Sequence, residues 1–233
     1  HWSGRHTPAG GTGVSYVTGS EGIYLNPAGL TTGTVAGQDA SLNISPVSSQ
    51  FEGPYKDSVQ SKSERLTSVP FGLTYNYNLN EKVGFGAGLY VSGGSSVNYK
   101  NVVVNSAAPT NTSETKTDLK IIEAALGVGY EVIDGLKLGA AFRAVMATSE
   151  FWSARASGAN VIETQFNELE GNNTGIKLGA QYSPNENWGV GVTYRGEVEL
   201  EMEGKGSAQV NDTSLADTTV KATAFLPMQY SIG

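Results

Sequence analysis

The strongest constraint on this chain is an alternation of apolar with small or polar residues at a period of two, sustained for about ten residues at a time and repeated along the sequence. In 69–79, Val69, Phe71, Leu73, Tyr75, Tyr77 and Leu79 share one face, and Pro70, Gly72, Thr74, Asn76 and Asn78 share the other. In 83–92 the apolar set is Val83, Phe85, Ala87, Leu89 and Val91, opposite Gly84, Gly86, Gly88, Tyr90 and Ser92. Residues 122–132 set Ile122, Ala124, Leu126, Val128, Tyr130 and Val132 against Glu123, Gly127, Gly129 and Glu131. Residues 136–147 set Leu136, Leu138, Ala140, Phe142, Ala144 and Met146 against Lys137, Gly139 and Arg143. Two further stretches follow. Ile176, Leu178, Ala180 and Tyr182 oppose Lys177, Gly179 and Gln181. Trp188, Val190, Val192, Tyr194, Val198 and Leu200 oppose Thr193, Arg195, Glu197, Glu199 and Glu201.

A sandwich of two sheets also alternates. Two features favour a closed transmembrane barrel. The polar faces carry charges and glycines along strands of about ten residues, the length a tilted membrane strand needs. Short turns at Asn80-Glu81, Asp134-Gly135 and Pro184–Asn187 alternate with long polar segments at 47–66, 95–118, 150–172 and 203–217. That is the sorting of periplasmic turns against extracellular loops. Tyr75, Tyr77, Tyr130, Tyr182, Trp188 and Tyr194 stand where an interfacial girdle places aromatics. No apolar run approaches the ~20 residues of a membrane helix. His1-Trp2-Ser3-Gly4 does not resemble a signal peptide, which suggests a processed chain.

The remaining composition excludes function classes. The net charge of −7 argues against a nucleic-acid surface. There is no cysteine, hence no disulfide framework and no thiolate metal site. His1 and His6 are too few to make a metal centre. No nucleophile and base fall into a catalytic pattern, and Gly84-Phe85-Gly86 and Gly127-Val128-Gly129 lie within predicted strands rather than phosphate loops.

The first ~33 residues break the alternation with Gly10-Gly11-Thr12-Gly13 and Gly19-Ser20-Glu21-Gly22. Asn26-Pro27-Ala28-Gly29-Leu30 reads as a turn or a helix start, with proline near the first helical position. These stretches carry a resemblance. Gly10–Thr18 followed by Gly22–Leu30, with Asn26-Pro27-Ala28 at its centre, resembles the N-terminal hatch of the long-chain fatty acid transporter family (FadL/TodX, OmpP1). Val83–Gly94, Trp188–Arg195 with Glu203–Gly206, and Leu226–Gly233 resemble later strands and loops of that family.

The resemblance implies an all-β fold: a transmembrane antiparallel barrel, of about 14 strands in the family and about eight here, with a hatch inside. It divides the chain into a hatch at 1–33 and barrel strands over 34–233, with the C-terminal strands absent. It further implies passive uptake of hydrophobic molecules, long-chain fatty acids or similar, across the bacterial outer membrane. Hydrophobic small molecules, lipid or detergent are then the expected partners, with no cofactor, no catalysis and no nucleic acid. The residues expected to matter are Asn26, Pro27 and Ala28 in the hatch, Gly93 and Gly94 at a lateral bend, and Arg143 and Arg195 facing the lumen. Arg143, Lys177 and Arg195 are expected either to meet a carboxylate or to pair with Glu123, Glu131, Glu197 or Glu199. The alternatives are a porin-like or structural barrel whose loops bind a partner, and a soluble secreted β-sandwich adhesin.

Overall fold

A computed structural model describes residues 13–32, 37–54, 60–103, 112–185, 187–211 and 213–233. Two short 3-10 turns, Ser20–Ile23 and Pro27–Leu30, precede the strands. The strands are β1 Gln38–Ile44, β2 Val47–Ser49, β3 Glu52–Pro54, β4 Gln60–Lys62, β5 Leu66–Ser68, β6 Phe71–Asn78 and β7 Val83–Val103. There follow β8 Thr112–Ile133, β9 Leu136–Ser157, β10 Asn160–Asn185, β11 Trp188–Arg195, β12 Val198–Val210, β13 Thr213–Leu226 and β14 Gln229–Ile232. The main sheet runs β1-β6-β7-β8-β9-β10-β11-β14, with β12 beside the far half of β10 and β13 on β12. Every ladder is antiparallel, and the sheet is open between β1 and β14. Two small hairpins, β2–β5 and β3–β4, lie within the connection from β1 to β6.

The two faces match the alternation. On β6, Gly72, Thr74, Asn76 and Asn78 are buried while Leu73, Tyr75 and Tyr77 are exposed. On β8, Leu126 is 66% exposed, with Val128, Tyr130 and Val132 beside it, and Glu123 is buried. Phe142, Met146, Ile176, Leu178, Trp188, Val190 and Val192 extend this exposed apolar surface over β9, β10 and β11. A water-soluble sandwich buries its apolar face; here the apolar face is the outer one. From Ile122 to Val132 the outward apolar residues span about 33 Å of strand, or roughly 25 Å after a barrel tilt of about 40°, the height of a lipid-facing band. Beyond it the outward positions become Lys120, Asp118 and Lys116 on β8 and Thr148 and Glu150 on β9. At the short-turn end, Tyr182 and Trp188 meet edge to face with centroids 6.1 Å apart, as members of an interfacial girdle do.

Two expectations are corrected. The long polar segments are mostly strand: β7, β8, β9 and β10 are 21, 22, 22 and 26 residues long. β9 and β10 join through a turn at Gly158-Ala159 rather than a long loop. Beyond the lipid band the outward positions turn polar, so the apolar alternation fades from the sequence while the backbone ladder continues. Of the predicted segments, 55–59, 104–111 and 212 lie outside the described residues, as do 186 of the predicted turn at 184–187 and 1–12 and 33 of the N-terminal segment.

The second correction concerns 188–201. Val198, Leu200 and Met202 are buried inward, and Glu199, Glu201 and Glu203 point outward, opposite to the expected assignment. The chain leaves the ladder at Gly196-Glu197 between β11 and β12, and the side-chain phase reverses there.

Candidate functional site

Residues 13–32 lie on the small and polar face of the sheet, and glycines set how close they come. Gly84, Gly129, Gly139 and Gly179 are successive ladder partners, so they form one row across β7, β8, β9 and β10. A Cβ at Gly84 would lie 2.0 Å from the Leu30 carbonyl oxygen, at Gly139 2.1 Å from the Pro27 carbonyl carbon, and at Gly179 1.9 Å from Asn26 Oδ1. In the adjacent row, Gly86 would strike Leu30 Cδ2 at 2.4 Å and Gly127 Ile23 Cδ1 at 2.8 Å. The N-terminal segment is thus moulded onto backbone, where side chains leave no room. Ile23, Ala28 and Leu30 have no exposure, and Ile23 and Leu30 pack with Tyr90, Ala125 and Ala141.

Side chains from the wall and the segment satisfy the segment's backbone. Asn26 is the N-cap of Pro27–Leu30: its Oδ1 accepts from the Ala28 N–H at 3.1 Å. Its Nδ2 donates to the Val14 carbonyl at 2.6 Å and to the Ala180 carbonyl of β10 at 3.1 Å. Asn26 thus both caps the turn and bonds to the wall backbone. Gln181 donates to the carbonyls of Val14 and Val17. Asn76 donates to Leu30 O at 2.7 Å, and Lys137 to Thr31 O at 3.1 Å. Asp39 of β1 accepts from both the N–H and the hydroxyl of Ser20 at 2.8 Å. Partners therefore come from strands across β1 to β10, which requires the sheet to curl around the segment.

Beside the segment is a cavity of about 590 Å³ lined by Tyr24, Tyr90, Glu123, Arg143, Lys177 and Arg195 among others. Glu123 sits between two guanidiniums. Arg143 Nε donates to its Oε2 at 2.7 Å, and Arg195 Nη2 donates to its Oε1. Arg143 and Glu123 are each 1% exposed. Arg143 Nη1 also donates to the Gly196 carbonyl at 3.3 Å, while Nη2 is buried with no hydrogen-bond partner among the described residues. Two guanidiniums face one carboxylate, so the cavity wall carries excess positive charge before Lys177 is counted. Lys177 donates to the backbone carbonyl of Tyr24, and its ammonium lies 5.6 Å from the Tyr24 ring centre. Burial pushes the Tyr24 hydroxyl up from its ordinary range, with Arg195 opposing, so the phenol stays neutral. The cavity thus pairs a fixed buried donor with aromatic walls, an arrangement suited to an anionic head on an apolar body.

Of the residues singled out in the sequence, Arg143 and Arg195 meet in this cavity. Asn26, Pro27 and Ala28 lie on the glycine row and outside the cavity lining. Gly93 and Gly94 lie apart, at a register shift between Val91 and Gly93 in the β7–β8 ladder. β6 accompanies β7 only as far as Tyr90. Glu123, among the partners foreseen, takes both arginines. Tyr24, Tyr90 and Gln181 went unread: nothing in a period-two pattern separates an inward tyrosine that lines a cavity from one that packs a wall. The glycine row was legible as a glycine-rich face, but not as a mould.

The sequence profile described as outer membrane protein transport protein (OMPP1/FadL/TodX) matches residues 7–232. Among solved structures, the toluene transporter TodX of Pseudomonas putida matches with a TM-score of 0.71 at 19% identity, over 96% of this chain and 63% of that one. The toluene transporter TbuX of Ralstonia pickettii matches with a TM-score of 0.71 at 17% identity, over 96% and 64%. A Pseudomonas aeruginosa FadL homologue matches with a TM-score of 0.71 at 13% identity, over 96% and 62%. At these identities the likeness shows the fold, and the chain spans less than two thirds of the length of these relatives. A comparison with curated proteins returns no match. The apolar outer face, the moulded N-terminal segment and a family match over nearly the whole sequence agree: this chain belongs to the OMPP1/FadL/TodX family of outer-membrane transport proteins.

Proposed function

We propose that this chain supplies the hatch and about the first eight spans of a channel for passive uptake of hydrophobic molecules, and that the cavity beside Arg143 receives the carboxylate of a long-chain fatty acid or a similar amphipathic acid. The buried, unpartnered Arg143 Nη2 carries this reading. A neutral solute leaves that donor without an acceptor, whereas a carboxylate satisfies it with a charge-assisted bond. The tail contributes by burial, at about 25 cal/mol per Å² of apolar area.

In this reading residues 13–32 are the hatch, held by Asn26, Pro27 and Ala28 on the glycine row. Release below the cavity needs either a movement of the hatch or a gap in the wall. Gly93 and Gly94 favour a lateral gap in β7: β6 stops pairing at Tyr90, and Ser92 drops out of the β8 ladder. The water-filled lumen of a porin has no need of a buried guanidinium donor left unpaired beside a cavity, which favours solute binding over the porin-like alternative.

The test is uptake of radiolabelled palmitate by cells lacking their own transporter and expressing the full-length protein that contains this chain. Wild-type protein should restore uptake. Asn26→Ala and Gly94→Val, where a Cβ would lie 2.7 Å from Leu119 O, should lower it while heat-modifiable migration stays normal. Normal uptake by both variants would remove the hatch and lateral-gap assignments. No uptake by the wild type would remove the transport reading.

A further inference from the structure

The outer wall carries a group of side chains that neither the lipid band nor the Arg143 cavity uses. On β9 and β10, Phe151 and Phe166 are ladder partners with ring centres 5.4 Å apart, and Phe166 packs on the inner apolar cluster. Successive side chains of a strand point to opposite faces, so Trp152 and Gln165, which also pair, point outward. The row continues on both sides: Lys116 of β8 pairs with Trp152, Gln165 with Ser207 of β12, and Ser207 with Asp217 of β13. One row closer to the membrane, the same face holds Asp118, Glu150, Asn167, Lys205 and Thr219.

An outward tryptophan at the band edge is a girdle residue, as Trp188 is. Trp152 is too high for that role. From Met146, at the top of the apolar band on β9, to Trp152 is about 20 Å of strand, or roughly 15 Å of height at a tilt of about 40°. Headgroups reach only about 5–8 Å beyond the hydrocarbon. The side chains around the ring are polar: Lys116 and Gln165 across the ladders, and Glu150 along its own strand. Beside this row is a hollow of about 520 Å³ lined by Asn167, Lys205, Ser207, Asp217, Thr218 and Thr219 among others. It lies where β10 bulges between Phe166 and Leu169, with Glu168 at a φ of 51°. Gln165 joins the ring to the hollow, its Nε2 donating to Asn167 Oδ1 at 2.7 Å. Among the described residues neither Lys205 nor Asp217 has an ion-pair partner.

We infer that Trp152, Gln165 and the hollow at Lys205 and Asp217 bind neutral sugar residues of the lipopolysaccharide core that surrounds the barrel. A pyranose offers a C–H face that stacks on the indole and a rim of hydroxyls that both donate and accept. The amide, hydroxyl, ammonium and carboxylate groups of the hollow supply the complementary partners. Asp118, Glu150 and Asp217 outnumber Lys116 and Lys205 on this face, so it offers a phosphate no net positive charge. Height fixes the source: above the lipid band of an outer-membrane protein, the wall stands in the saccharide layer that the outer leaflet carries. The site faces away from the lumen and holds whether or not the uptake reading does.

Native mass spectrometry of the full-length protein in detergent tests the site with two purified lipopolysaccharides. Both carry the same lipid A and the same inner-core phosphates, and one lacks the outer-core hexoses. Wild-type protein should retain the complete form roughly tenfold better, the effect of burying one aromatic face. Trp152→Ala should abolish that preference while heat-modifiable migration stays normal, and Trp152→Phe, which keeps a ring to stack on, should preserve most of it. Trp188→Ala, in the girdle, should leave the preference unchanged. Equal retention of the two forms by the wild type overturns the site, as does a preference that survives in Trp152→Ala.

Discussion

A methyl group at Gly179 is the most informative single perturbation of the contact between the N-terminal segment and the wall. Gly179 pairs with Gly139 of β9 and Thr193 of β11. Its φ is not positive, so alanine fits the strand. The added Cβ would lie 1.9 Å from Asn26 Oδ1 and 2.9 Å from Pro27 Cδ. Asn26 has no exposure. Moving it breaks the cap bond to Ala28 and the two bonds donated to Val14 and Ala180. The cap is worth about 1 kcal/mol, and each further bond about 0.5–1.5 kcal/mol. The docked N-terminal segment should lose roughly 2–4 kcal/mol, a ~30- to 1000-fold shift toward undocking at about 1.4 kcal/mol per decade. Amide exchange in detergent reads this directly. Residues 19–30 should exchange faster by that factor in Gly179→Ala, while amides in β8 and β9 keep their protection. Gly72→Ala is the control, because its Cβ would meet only Tyr90 Cβ at 3.5 Å. Unchanged exchange at 19–30 in Gly179→Ala would refute the moulded contact.

Other consequences follow from the cavity and the outer face. Arg143→Gln removes the unpartnered donor but leaves Arg195 on Glu123; palmitate affinity should fall roughly tenfold, measured by displacement of a fluorescent fatty acid. Glu123→Gln strips the carboxylate from two guanidiniums, one fully buried, and should destabilise the barrel by about 3–5 kcal/mol in urea titrations from liposomes. Leu126→Lys places a charge on the outward band and should cost about 2–4 kcal/mol in a bilayer, whereas Lys120→Leu above the band should change stability little.

Much of the wall was legible because the lipid band imposes a strict period of two. Leu126, Phe142 and Leu178 announce an apolar face, and Gly127, Gly139 and Lys177 the opposite one. The same rule misread the polar segments above the band, where outward Lys116 and Asp118 and inward Thr115 and Thr117 are all polar. It also misread Val198 and Leu200. Their spacing continues that of Trp188 and Val190, and a phase reversal at Gly196-Glu197 leaves no mark in an alternating pattern. In the cavity, residue type alone showed that Arg143 and Arg195 needed partners. That both share Glu123, and that Arg143 keeps one donor unpaired, depends on ladder register between β8, β9 and β11, which the sequence does not state.

The central claim is that an amphipathic acid enters the cavity head-first onto Arg143. A crystal structure of the full-length protein grown with 16-bromohexadecanoate tests it directly. The carboxylate should lie about 3 Å from Arg143 Nη2, with the bromine signal on the outer-loop side of Glu123. Bromine found only among the outer loops, with the Arg143 cavity empty in a protein that transports the acid, would contradict it.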